Sequence, residues 1–142
     1  MSARPQRLRA LAGLGFAVAF AAVGALFLAV PGGVLAFADG LSRRAGLAGF
    51  PAAGDRFWLV LAGAYMYVVT VLAWGMWRHP DDPAHPRLLA HAKLASAGLS
   101  VAAFIIYLPH LVFLANGAVD GAIGLAALAL ARQARRDLPP TP

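Results

Sequence analysis

Apolar residues in this chain fall into four runs of about twenty, from Ala10 to Val30, Phe57 to Trp77, Leu88 to Leu108 and Leu111 to Ala131, parted by short charged or Pro- and Gly-rich breaks. At about 1.5 Å of rise per residue, a helix of that length crosses a hydrocarbon core roughly 30 Å thick. The pattern predicts an all-α membrane protein, four transmembrane helices in an antiparallel bundle, with residues 1–142 forming a single membrane domain.

The breaks add detail. In the first, Val34, Phe37 or Ala38, Leu41 and Ala45 fall at helical spacing, while Asp39 and Arg43 form an i,i+4 pair on another face. That predicts an interfacial helix; Gly40 and Gly46 weaken it, and an irregular loop is the alternative. Pro109 must end or kink the third span, so spans three and four should be antiparallel neighbours across a very short turn. Asn116-Gly117 reads as a polar position inside a continuous helix, since a break there would leave too few apolar residues to cross. Residues 132–142, Pro-rich from Leu138, are expected to be a disordered tail. Trp58, Trp74 and Trp77 suit the two membrane interfaces.

A competing reading makes the first span a signal peptide, with Arg4, Arg7 and Arg9 as its basic start and Ala36-Phe37-Ala38 as a small-x-small cleavage site. The run from Ala10 to Val30 exceeds the roughly 7 to 15 apolar residues of such a segment, so a retained span is expected.

Composition agrees with the pattern: 61% of residues are hydrophobic and 13% charged, where a soluble domain has about 25% charged. The net charge of +6 does not point to nucleic acid, because the basic residues flank apolar runs instead of forming a patch. They read as topology signals. Arg4, Arg7, Arg9, Arg78, Arg87, Lys93, Arg132, Arg135 and Arg136 lie on one side; Arg43, Arg44 and Arg56 lie on the other. The positive-inside rule then places both termini in the cytoplasm. Eleven Arg against one Lys, with abundant Ala, Gly and Pro, suggests a GC-rich bacterial genome and hence a bacterial inner membrane. Cysteine is absent, which excludes disulfides and thiol chemistry.

Chemistry is concentrated in a few polar groups at membrane depth. Asp120, near the middle of the fourth span, costs about 2.5 to 3.5 kcal/mol on insertion scales and needs a partner or a proton. Measured from the side of the termini, Lys93 comes at about 8 Å, Thr70 and Ser96 at about 10 to 12 Å, and Tyr67 and Asp120 at about 15 to 17 Å. Gly63, Tyr67, Thr70 and Trp74 share a face of span two; Lys93, Ser96, Ser100, Ala103 and Tyr107 one of span three; Asn116 and Asp120 one of span four. Turned inward, these faces would form one polar network. It serves either to hold the helices together or to bind a proton, cation or polar ligand at Asp120. Lys93 pairing with Asp120 and Lys93 snorkelling to the headgroups are both open.

Gly117, Gly121 and Gly124 make a flat side of the fourth span, suited to packing within the chain or to a homodimer. His79, Asp81, Asp82 and His85 are weak candidates for a divalent metal; three prolines in that loop favour a solvated turn. His91 and His110, at opposite ends of span three, cannot share one haem, and no cofactor is expected. In size and span number the chain is similar to small multidrug transporters and DoxX-like proteins, but no motif is shared and the first span lacks the acidic residue of the former. With no catalytic motif, an enzyme is not expected. The leading expectation is a structural or interaction subunit of a membrane assembly, bound to the lipid bilayer and to copies of itself or a larger complex. A small proton- or cation-coupled transporter or channel using Asp120 is the alternative.

Overall fold

The computed structural model describes residues 3–49 and 55–137, so the expectations for the chain from Leu138 onward and for the side chain of Trp58 lie outside the described residues. Five helices follow one another: α1 (Ala3–Ala29), α2 (Pro31–Arg44), α3 (Asp55–Arg78), α4 (Ala84–Ile106) and α5 (Leu111–Arg136). Among the described residues there is no strand. Four of the helices are long and apolar enough to cross a membrane, α1 from Pro5, α3 from Val60, and α4 and α5 throughout. The chain is a multi-pass, all-α membrane protein.

The spans pack as two antiparallel hairpins. Helices α1 and α3 form one close pair, α4 and α5 the other, while α3 and α4 touch more loosely across a seam. Glycine sets the close approach. A Cβ at Gly13 would lie 2.7 Å from the backbone nitrogen of Trp77 and 2.9 Å from the carbonyl oxygen of Ala73, so only a hydrogen lets α1 meet the α3 backbone there. Gly124 does the same for α5 against Leu94 of α4, where a Cβ would stand 2.8 Å from the side chain. Across both hairpins runs one core of Ala17 and Phe20, Val69, Ala73 and Met76, Leu89 and Ala90, and Ala127 and Leu130.

The interfacial helix in the first loop forms as α2. Pro31 occupies its first turn, where a missing N–H costs nothing, and Gly46 follows its end at φ +71°, in the left-handed region. Its apolar Phe37 and Leu41 are 74% and 45% exposed, as an interfacial helix requires of the face it turns to lipid, while Ser42 is buried on the docked face beside half-buried Val34, Leu35 and Ala38. Buried Ser42 donates its hydroxyl to the carbonyl of Ala48 (2.6 Å) and accepts from the backbone N–H of Leu111 (3.2 Å). That N–H belongs to the first turn of α5, whose donors have no partner within the helix. The next is met by His110, whose Nδ1 accepts from Val112 N–H at 3.1 Å. Meeting a helix-start donor through Ser42 thus ties α2 to the beginning of α5. Ala36-Phe37-Ala38, the small-x-small triplet, lies inside this helix.

Helix α4 ends at Ile106, and Leu108-Pro109-His110 turn the chain directly into α5, which runs unbroken through Asn116-Gly117. One boundary needs correction. Residues 132–136, expected in a disordered tail, complete α5, and Asp137 beyond them is held at 2.7 Å by Arg9 of α1. Ala131 and Ala134 are buried, which carries the helix past the apolar run.

Candidate functional site: a buried ion pair at the seam of two hairpins

At the seam, Lys93 of α4 donates to Asp120 Oδ1 of α5 at 2.8 Å. The two residues are 1% and 3% exposed, so snorkelling is overturned: Lys93 turns inward and takes the carboxylate as its partner. Its ammonium also lies 4.6 Å from the ring centre of Phe20 on α1 and 5.0 Å from that of Tyr65 on α3. One cation thus touches all four spans. In an apolar setting the aromatic faces add electrostatic attraction to that of the carboxylate. Asp120 Oδ2 is buried and has no hydrogen-bond partner among the described residues.

A second polar set lies beside the first and meets it at the ring of Tyr65. Asn116 donates its amide to Ser100 at 2.8 Å and to Ser96 at 3.3 Å, tying α5 to α4 one turn away from the ion pair. Tyr65 donates its hydroxyl to the carbonyl of Ala92 at 3.0 Å, crossing the seam from α3 to α4. A groove of about 530 Å³ opens next to these groups, lined by Tyr65, Ser96 and Ser100 with Leu99, Ala103 and Phe113. Lys93 and Asp120 do not line it.

Two expected members of the network are elsewhere. Tyr67 is 71% exposed and points away from the bundle, as does half-exposed Trp74; the inward face of α3 is instead Tyr65, Val69, Ala73 and Met76. The polar stripe was the wrong guide here, because this hairpin is closed by Val69, Ala73 and Met76 fitting closely against α1, which leaves Tyr67 and Trp74 on the outer face. Thr70 donates to the carbonyl of Met66 on its own helix at 2.7 Å and leaves the network. Tyr107, on the same stripe as Lys93, is 83% exposed at the end of α4.

The glycine face of α5 is used inside the chain. Ala97 and Val101 of α4 lie against Gly117, Ala97 against Gly121, and Leu94 against Gly124. In the loop with two His and two Asp, Asp81 is drawn off by Gln6, from which it accepts at 2.8 Å, while His85 stacks on His79 with its Nδ1 3.3 Å from Asp82. Among the described residues no three His or acidic side chains gather as a metal site. His91 is exposed, while His110 is buried at the other end of the bundle.

Arg9 was missed by sequence reasoning, which treats it as a topology charge. It is 2% exposed and grips three acceptors, the carbonyl of Pro80 (2.7 Å), Asp137 (2.7 Å) and Asp81 (3.4 Å). The start of α1, the α3–α4 loop and the end of α5 meet on this one guanidinium. Tyr65 was missed too. Its signal was available in the spacing Tyr65, Val69, Ala73, Met76, a stripe of mostly small residues at helical period.

No family model, curated protein or solved structure matches this chain.

Proposed function

We propose that the chain is an internally clamped four-span membrane subunit that works by associating with other membrane chains. Tyr67 carries this reading. It sits eleven residues before Arg78, about 16 Å along the helix and so near the bilayer midplane. Its ring points outward, and its hydroxyl has no partner among the described residues. A phenol facing hydrocarbon without a hydrogen bond costs on the order of 1–3 kcal/mol, which a neighbouring transmembrane helix would relieve. The polar groups facing inward are meanwhile taken up by the bundle itself, Lys93 by Asp120, Tyr65 by Ala92 and Asn116 by Ser100. The balance of basic residues supports cytoplasmic termini, and the Arg-rich composition supports a bacterial inner membrane.

Tyr67→Phe tests it. Extracted in mild detergent, the variant should show a smaller assembled fraction than wild type at an unchanged melting temperature. A wild-type chain that is strictly monomeric and captures no membrane protein would sink the proposal.

A second reading, proton- or cation-coupled transport through Asp120, has one observation in its favour: the unpartnered Oδ2 buried at the seam between two hairpins. In proteoliposomes under a proton gradient, wild type should then move protons or cations and Asp120→Asn should not. Equal behaviour of the two would exclude it.

A further inference from the structure

A groove of about 640 Å³ opens at the end of the bundle that holds both the start of α1 and the end of α5. It exists because α1 and α5 have little close backbone packing: the hairpins meet along the α3–α4 seam, and on this other side Arg9 and Asp137 tie them at 2.7 Å. The walls are Leu8 and Leu11 from α1 and Gln133 from α5, with Arg7 contributed by α1 and Arg136 by α5. Both arginines are exposed, and neither has an acidic partner among the described residues. Asp137 also lines the groove, but its charge is held by Arg9.

We propose that this groove binds one anionic phospholipid, its phosphate between Arg7 and Arg136 and an acyl chain along Leu8 and Leu11. The occupant follows from charge and position. Two uncompensated guanidiniums select a phosphate, which they hold by paired, charge-assisted hydrogen bonds. The leucines, 57% and 67% exposed, continue from the charged rim down the helix into the membrane, so the groove is polar at the headgroup level and apolar below it. A soluble anion would use only the rim. Basic pockets between transmembrane helices are suited to anionic headgroups for the same electrostatic reason. The site does not depend on the subunit role of Tyr67.

The test is lipid binding by the full-length chain in mild nonionic detergent, read by native mass spectrometry with phosphatidylglycerol and phosphatidylcholine of identical acyl chains. Wild type should retain phosphatidylglycerol roughly tenfold more tightly. Arg7→Ala/Arg136→Ala should abolish that preference. Arg132→Ala/Arg135→Ala, which removes the same charge outside the groove, should keep it. Arg7→Lys/Arg136→Lys should restore part of it, which separates loss of the site from loss of the fold. Inorganic phosphate in millimolar excess should not displace the lipid. Equal retention of the two lipids by wild type, equal loss in the two alanine variants, or displacement by inorganic phosphate would each overturn the proposal.

Discussion

The ammonium of Lys93 on α4 stands 4.6 Å from the ring centre of Phe20 on α1, although α1 and α4 have little close backbone packing. A single charge therefore reaches across the seam and links helices that their backbones leave apart. Phe20→Leu, which keeps apolar volume but removes the aromatic face, should cost about 0.5–2 kcal/mol of stability in detergent. In a Lys93→Met background the same substitution should cost markedly less. Equal cost in both backgrounds would show that the ring serves only as packing.

The Lys93–Asp120 pair makes its own prediction. Removing either partner leaves a charge buried in low dielectric, at about 3–5 kcal/mol, whereas removing both leaves none. Lys93→Met and Asp120→Asn should each lower the melting temperature, and the double variant should recover part of the loss. Additive losses would show that the two residues are not coupled.

Gly124 and Gly121 share a helix face but differ in room. A Cβ meets Leu94 at 2.8 Å at the first and Ala97 at 3.7 Å at the second. Gly124→Val should therefore destabilise the α4–α5 hairpin by about 1–3 kcal/mol, and Gly121→Ala should be tolerated. The readout is thermal stability of the monomer, because this face is turned to α4 and not to another chain. Loss of assembly with unchanged monomer stability would contradict that placement.

At the opposite end, Ser42 bridges Ala48 and Leu111 through one hydroxyl. Ser42→Ala removes both bonds and leaves a helix-start donor unpaired, at about 1–3 kcal/mol. Hydrogen exchange should rise selectively in α2 and at the beginning of α5. An unchanged exchange pattern would show that α2 is held by other contacts.

Arg9 holds three acceptors with the fork geometry of a guanidinium, which an ammonium does not reproduce. Arg9→Lys should thus behave more like Arg9→Met than like wild type. Protease susceptibility of the α3–α4 loop would show this, rising in both variants. A lysine variant as resistant as wild type would mean that charge alone is sufficient.

Hydropathy determined the large features of this protein. Four runs of about twenty apolar residues leave little choice but helices across a bilayer, because the backbone must satisfy its hydrogen bonds internally there. Pro109 placed the last turn, and the cost of Asp120 at mid-depth demanded a partner, with Lys93 among the few candidates. Which face of each helix turned inward was beyond the sequence alone. In a bilayer apolar side chains are content on either side, so hydropathy does not distinguish core from lipid, and the choice falls to close fit. That is why Tyr65 faces Lys93 while Tyr67, two residues on, faces out. The same limit applies to Arg9 and Asp137, 128 positions apart: flanking charges look alike in sequence, and only the folded chain shows which one is enclosed.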